Sequence, residues 1–167
     1  MQNPSASEEY LAKVVQRLRS MRFSVTSNVK HENLAFAHVA KRTTFEFGTL
    51  DIVETFVILT EYCSLNAATI RDYSKACFAY AMNKRKIKLP LVPGHYPVCC
   101  SVLLDHGVGS EAAYAVRNLE PAYHWRGLEI PIICDLTTSQ IHSYDKMPKT
   151  SRWLDARSFA WNRHRDR

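Results

Sequence analysis

Two carboxylates stand where they could serve a hydrolytic metal site. In the stretch GTLDIVETFVILTEYC, residues 48–63, Asp51 follows a glycine and Glu61 ends an apolar run. Carboxylate oxygens in such positions can hold a divalent metal ion, which activates water as a nucleophile. A lysine two residues after the glutamate would add a fixed positive charge, but Cys63 occupies that position. The stretch therefore carries only part of such a site, because a thiol cannot supply that charge.

The residues between the two carboxylates predict a single strand. The segment from Ile52 to Thr60 is rich in β-branched residues and contains no Gly, Pro, Asn or Asp that would form a turn. Ten residues along one strand span about 33 Å at about 3.3 Å per residue. Because a metal ion binds its oxygen ligands within about 2.6 Å, Asp51 and Glu61 cannot share one ion. We therefore predict a plain strand and no metal site.

A second group of candidate residues lies in LLDHG and in YHWRGLEIPIICDL. Asp105 and His106 follow an apolar run, and a strand end is a common position for sites in α/β proteins. A histidine beside a carboxylate can act as a general base. The candidate catalytic residues are therefore Asp105, His106 and His124. The alternative is that Asp105 helps to cap a turn and that His106 is solvated.

Positive charge is concentrated in two blocks of the chain. The net charge is +6, yet residues 71–88 hold six basic residues and one acidic residue, and residues 145–167 hold seven and three. Basic blocks of this kind attract polyanions, including nucleic acid. The predicted anion-binding residues are Lys84, Arg85, Lys86, Lys88, Arg163 and Arg165. The alternative is a solvated helix end and a tail whose aromatic residues dock on the domain.

The chain predicts three helices. Apolar residues at helical spacing from Leu11 to Met21 define the first, and Ser5 with Glu8 forms a capping box before it. Asn66 is a favourable N-cap for the second, which carries an apolar stripe from Ile70 to Ala81. Ser110 is expected to cap the third.

The remaining segments predict strands. These are FSVTSN, NLAFAHVAKRTTFEF, residues 50–62, YPVCCSVLL, LEIPIICDL and QIHSY. Pro131 suggests an edge strand or a bulge. We expect one α+β domain over residues 1–144, with a mixed or antiparallel sheet, about three helices and the order α-β-β-β-α-β-α-β-β. A basic aromatic tail, residues 145–167, is expected to pack on it.

The order helix, three strands, helix, strand over residues 7–104 resembles the core of the restriction-endonuclease-like superfamily. The motif Gly-x-x-Asp, strand, Glu-x-Lys is matched by Gly48, Asp51 and Glu61, while Cys63 departs from it. In that family the aspartate and the glutamate hold a divalent metal and the lysine assists the attacking water. The resemblance implies a nucleic-acid-associated protein with a degenerate nuclease-like core.

Several classes of protein are disfavoured by what the sequence lacks. No apolar stretch approaches the roughly 20 residues that span a bilayer, and the N-terminus MQNPSASEEY is not a secretory signal. Glycine-rich phosphate-binding motifs are absent, which argues against nucleotide hydrolysis and dinucleotide redox chemistry. The five cysteines predict buried free thiols, with Cys63 the candidate for a reactive one. We expect a soluble cytoplasmic protein with no membrane association, cofactor or metal.

The leading hypothesis for function is a non-catalytic binding module that engages a protein or an acidic partner through the basic blocks. One alternative is the nucleic-acid-associated protein implied by the resemblance. Another is a small-molecule enzyme with a site near Asp105, His106 and His124. The sequence leaves the oligomeric state open.

Reversing the charge of the basic helix end tests the predicted anion-binding residues. We expect Lys84→Glu, Arg85→Glu and Lys86→Glu together to abolish binding of fluorescent DNA or RNA, measured by anisotropy at low salt, because repulsion replaces attraction. Circular dichroism should show unchanged folding. Binding that survives the triple change would exclude the helix end as the site.

Overall fold

Three helices and seven strands form the computed structural model, which describes residues 6–46, 51–85, 95–124 and 127–146. The elements follow in the order α1 (Ala6–Ser20), β1 (Ser24–His31), β2 (Leu34–Glu46), β3 (Asp51–Glu61), α2 (Ala67–Lys84), β4 (His95–Asp105), α3 (Ser110–Asn118), β5 (Ala122–His124), β6 (Gly127–Asp135) and β7 (Gln140–Ser143). The α+β class and the predicted order are confirmed, with β5 as one further short strand. None of the described helices is both long and apolar enough to cross a bilayer.

The strands form one mixed sheet in the order β1-β2-β3-β4-β6-β5, with β7 also paired to β6. The first three strands are an antiparallel meander, β4 and β6 run parallel to β3, and β5 and β7 pair antiparallel with β6. Parallel neighbours need a crossover, and α2 and α3 lie in the two connections. The central strands β4 and β6 are buried almost throughout, as the continuous apolar runs predict.

The core has one layer on each face of the sheet. The layer under α2 and α3 is built from residues such as Phe36, Ile58 and Cys99. The layer on the opposite face joins α1 to residues such as Val57, Cys100 and Ile130. Cys99 and Cys100 therefore point to opposite faces, as strand geometry requires. Of the five free thiols, four are buried and Cys63 is exposed.

The first helix ends in a Schellman motif. The Phe23 amide donates to the Leu18 carbonyl and the Arg22 amide donates to the Arg19 carbonyl, at 3.0 and 2.9 Å. Arg22 takes the left-handed position of this motif, with φ of 64°. Leu18 and Phe23 belong to the same buried cluster, which supplies the usual apolar contact. The turn leads the chain directly into β1.

The second helix begins as predicted, since Asn66 Oδ1 accepts a hydrogen bond from the Thr69 amide at 2.9 Å. The third begins one residue earlier than the sequence predicts, because Gly109 is its N-cap and makes no side-chain cap bond. Ser110 is instead the first helical residue. Ser5 of the predicted capping box and the tail from residue 147 lie outside the described residues.

Pro131 does not lie in an edge strand, which was the first of the two alternatives that the sequence suggested. Strand β6 has β4 on one side, where Ser101 pairs with Pro131. On the other side, β5 pairs with residues 127–129 and β7 with residues 132–135. Neither short strand pairs with Pro131 itself. The proline is tolerated because it lies in the interval between two separate partners.

Residues 51–61 form one continuous strand, as predicted. Asp51 and Glu61 are the first and last residues of β3. The strand pairs without interruption with β2 and β4, so its ends lie about 33 Å apart at about 3.3 Å per residue. The two carboxylates therefore cannot share a metal ion. The side chain of Asp51 lies outside what the structure describes.

The packing of α2 on the sheet depends on the absence of a side chain at Gly127. A Cβ atom there would lie 2.8 Å from the Pro97 carbonyl oxygen and 2.9 Å from Phe78 Cε2. We expect Gly127→Ser to lower the free energy of unfolding by about 1–3 kcal/mol in urea denaturation, the usual cost of overpacking.

The matched control is Gly109→Ser. A Cβ atom there meets nothing within 4 Å, and serine is a favoured N-cap. This variant should be as stable as the parent protein or more so. Equal stability of the two variants would contradict tight packing at Gly127.

Candidate anion-binding site

A cavity of about 750 Å³ opens beside the first two strands, next to the C-terminal half of α2. Four of its lining residues are basic: Arg22, Lys41, Arg42 and Lys84. Four are serine or threonine: Ser24, Thr26, Thr43 and Thr44. The others are Met21, Val39, Phe56 and Tyr80, and no acidic residue is among the described lining. We refer to it below as the basic cavity.

Strand register brings polar side chains to one wall of the basic cavity. Ser24 pairs with Lys41 and Thr26 pairs with Val39, so these side chains share a face of the β1–β2 ladder. Lys41 in turn pairs with Phe56 of β3. Tyr80 and Lys84 are one helical turn apart on α2 and complete the opposite wall.

The turn after α1 places Arg22 at the rim. A left-handed backbone costs a non-glycine residue about 1–3 kcal/mol, and glycine would adopt it freely. Arg22 nevertheless occupies this position with an exposed side chain. The backbone of the motif therefore does not require an arginine at this position. The exposed guanidinium of Arg22 is available to a ligand.

Arg42 is held on the face of β2 opposite to Lys41. Its Nη1 donates to the Met21 carbonyl at 3.2 Å, and its guanidinium lies 4.7 Å from the centre of the Phe23 ring. Its Nε is shielded from solvent and has no hydrogen-bond partner. The other shielded donor of the described residues without a partner is Nε of Arg85, which follows Lys84. A buried donor left unpaired costs about 1–3 kcal/mol.

A buried carboxylate holds one of the lining residues, Lys41, in place. Glu54, with its side chain 1% exposed, accepts from Lys41 Nζ at 2.6 Å and contacts His95 Nε2 at 2.9 Å. Lys41 Nζ also donates to the Lys84 carbonyl at 2.9 Å and lies 4.8 Å from the centre of the Phe56 ring. Glu54 compensates the charge of Lys41. Among the described residues, no carboxylate pairs in the same way with Arg22, Arg42 or Lys84.

The sequence identified this site only in part. Lys84 lines the basic cavity and Arg85 follows it, whereas Lys86, Lys88, Arg163 and Arg165 lie outside the described residues. Arg22, Lys41 and Arg42 were missed, because they are distant in sequence from the basic block. Two features of the sequence could have indicated the site. Lys41 and Arg42 are adjacent cations within a predicted strand, and Glu54 is a carboxylate on the same strand face as the apolar residues Phe56 and Ile58.

The candidate catalytic residues do not come together. His106 is exposed and contacts Glu61 Oε1 at 3.2 Å, at the carboxyl ends of β3 and β4. His124 lies near the start of β6, where it stacks on Phe78 at 4.2 Å and contacts buried Glu129 at 3.0 Å. Leu128 pairs with Val98, seven residues before Asp105 on β4, which is about 23 Å at about 3.3 Å per residue. Asp105 and His106 are therefore at one end of the sheet and His124 is at the other.

The groups at the carboxyl ends of the parallel strands are held by internal hydrogen bonds. Asp135 accepts from the Thr137 amide at 2.8 Å and from the Thr138 hydroxyl at 2.8 Å. Burial by itself would raise the pKa of Asp135, but these hydrogen bonds outweigh it and lower the pKa. Among the described residues, no group of three or more His, Cys, Asp or Glu could hold a metal ion.

The buried cysteines are poor nucleophiles. Burial raises the pKa of Cys77 and of Cys100 to about 12 and raises the pKa of Cys99 well above its usual range. These thiols stay protonated at neutral pH, and the thiolate is the reactive form. Cys63 is exposed, and its reactivity stays a prediction.

The arrangement can bind an oxyanion through charge-assisted hydrogen bonds from guanidinium, ammonium and hydroxyl groups. Comparison of the chain with protein-family models, with curated proteins and with solved structures finds no match. The chemistry of the basic cavity is therefore inferred from its own residues.

The contribution of the ion pair between Glu54 and Lys41 to stability can be measured. We expect Glu54→Gln to lower the free energy of unfolding by about 2–4 kcal/mol, somewhat below the range for fully buried pairs because Lys41 is 21% exposed. Adding Lys41→Met should recover part of that loss, because no unpaired ammonium remains.

Urea denaturation of both single variants and of the double variant gives the coupling energy. If the losses in free energy of unfolding of the two single variants add up to that of the double variant, the two charges do not stabilise each other.

Proposed function

We propose that this protein is a non-catalytic binding module for an acidic partner, which it engages through the basic cavity and the adjoining end of α2. The observation that carries the proposal is the composition of the cavity wall. Four cationic residues and four serine or threonine residues line it, and no carboxylate is among its described lining residues. A concave surface of one charge sign concentrates counter-ions and speeds their association.

The charge balance supports binding of a partner. Lys41 already has Glu54 as its counter-ion, whereas Arg22, Arg42 and Lys84 have no such partner among the described residues. An acidic partner would compensate these three charges. Hydrogen bonds to charged groups contribute about 1.5–3 kcal/mol each, more than bonds between neutral groups.

The backbone at Arg22 also supports the proposal. An arginine in a left-handed position that glycine fits better is strained, and such strain is often found at functional positions. The three cations meet here because the Schellman turn, the extension of β2 beyond β1 and the end of α2 converge. The candidate catalytic residues lie elsewhere and add nothing to this surface.

Nucleic acid is the second candidate partner. Lys84 lines the cavity, and the residues that follow it in the sequence include Arg85, Lys86 and Lys88. A stretch of sequence rich in positive charge, next to a residue of the basic cavity, suits a phosphate backbone. A steep dependence of affinity on salt, with oligonucleotides bound better than acidic peptides, would favour this candidate.

Removing the strained arginine separates binding from stability. We expect Arg22→Gly to weaken binding of a fluorescent poly-glutamate peptide, DNA or RNA by about threefold to tenfold, because one charge is lost. Its free energy of unfolding should stay equal or rise, because glycine relieves the left-handed backbone. Fluorescence anisotropy at several salt concentrations measures the first effect, and urea denaturation measures the second.

Arg71→Gln is the control, because Arg71 is an exposed arginine near the start of α2, about 20 Å along the helix from Lys84. It should leave affinity within about twofold of the parent protein, since the charge removed is distant from the cavity. Equal losses in both variants would contradict a specific site at the cavity. If none of the three probes binds at low salt, the proposed function is wrong.

A further inference from the structure

We propose that the group bound in the basic cavity is a phosphate monoester carried by an organic molecule. This inference rests on the proposed function and narrows it to one chemical class. The charges, the hydrogen-bond donors and the dimensions of the cavity each point to this class.

The charge of the site matches a dianion. Three cationic side chains, Arg22, Arg42 and Lys84, line the cavity without a carboxylate partner among the described residues. A carboxylate or a phosphodiester carries one negative charge, whereas a phosphate monoester carries about 1.5 to 2 at neutral pH. A phosphate monoester therefore neutralises more of the positive charge of the site than a carboxylate or a phosphodiester does.

The donors suit a group with several oxygens. The guanidinium groups of Arg22 and Arg42 present planar pairs of N–H donors, which fit phosphate oxygens in a bidentate manner. Hydroxyl groups from two strands also line the cavity, among them Ser24, Thr26 and Thr43. A phosphate monoester has three terminal oxygens that can accept from these donors at once, whereas a carboxylate has two.

The shielded Nε atom of Arg42 is a second, independent observation. It has no acceptor in the described part of the chain, although Nη1 of the same side chain is bonded to the Met21 carbonyl. Arg85, the residue after Lys84, also has a shielded Nε without an acceptor. Arg42 lines the basic cavity, and an unsatisfied donor on a lining arginine suits an oxyanion acceptor.

The dimensions of the cavity favour an organic ester over free phosphate. Its volume of about 750 Å³ lies within the range of small-molecule sites, which is about 300–1,000 Å³. Inorganic phosphate would leave most of this space unfilled. Met21, Val39 and Tyr80 add apolar lining, which can contact the organic part of the ligand.

Isothermal titration calorimetry with two matched sugars tests the inference. Glucose 6-phosphate carries a phosphate monoester, and glucuronate has a similar ring with one carboxylate. We expect glucose 6-phosphate to bind at least about tenfold more tightly, because the dianion engages more of the cationic donors. Equal affinities would overturn the inference.

Arg22→Lys provides the matched variant, because it keeps the charge and removes the planar fork. It should weaken glucose 6-phosphate binding by about tenfold and change poly-glutamate binding by less than about threefold. Circular dichroism and urea denaturation confirm that the variant is folded. Equal losses for both ligands would show that only charge is recognised, which would overturn the inference.

A phosphoserine peptide and its unphosphorylated form identify the source of the phosphate. Tighter binding of the phosphopeptide than of glucose 6-phosphate would support the inference and assign the monoester to a protein. The opposite order would support it and assign the monoester to a small metabolite. If no phosphate ester binds while poly-glutamate or nucleic acid still does, this inference is wrong and the proposed function stands. If no anion binds, both are wrong.

Discussion

The carboxylate of Glu54, buried between Lys41 and His95, constrains the rest of the structure. A buried carboxylate must be paired, and its partners here lie on the strands at either side, β2 and β4. A shift of one residue in the pairing would turn Glu54 to the opposite face and leave its charge among the apolar residues packed on α1. This contact therefore specifies the register of the three strands that form the middle of the sheet.

The same contact positions the end of α2. Lys41, held by Glu54, donates to the carbonyl of Lys84, the last residue of that helix. A helix ends with carbonyl groups that lack intrahelical partners, and a lysine is a favourable donor to them. The buried pair thus links the strand register to the position of the helix end. The basic cavity lies between these two elements, so its shape follows from the pairing of Glu54.

The location of the cavity differs from the usual pattern of parallel sheets, in which ligands bind at the carboxyl ends of the strands. At those ends Glu61 contacts His106, and Asp135 is hydrogen-bonded to Thr137 and Thr138. The cavity lies instead beside the antiparallel strands, where β2 extends beyond β1 and α1 turns into the sheet. Arg22, Arg42 and Lys84, which have no carboxylate partner among the described residues, are found there.

The sequence by itself determined the fold class and every described element except the short strand β5, because helical spacing, the Asn66 cap and continuous apolar runs are local signals. It also determined that residues 51–61 form one strand, since no turn residue interrupts them. Tertiary structure decided that Pro131 lies between two short partner strands and that Asp105 and His124 are far apart. It also decided the site, because Arg22, Lys41 and Lys84 come from three separate elements. Strand register and helix packing brought them together, and neither is encoded in any short stretch of the chain.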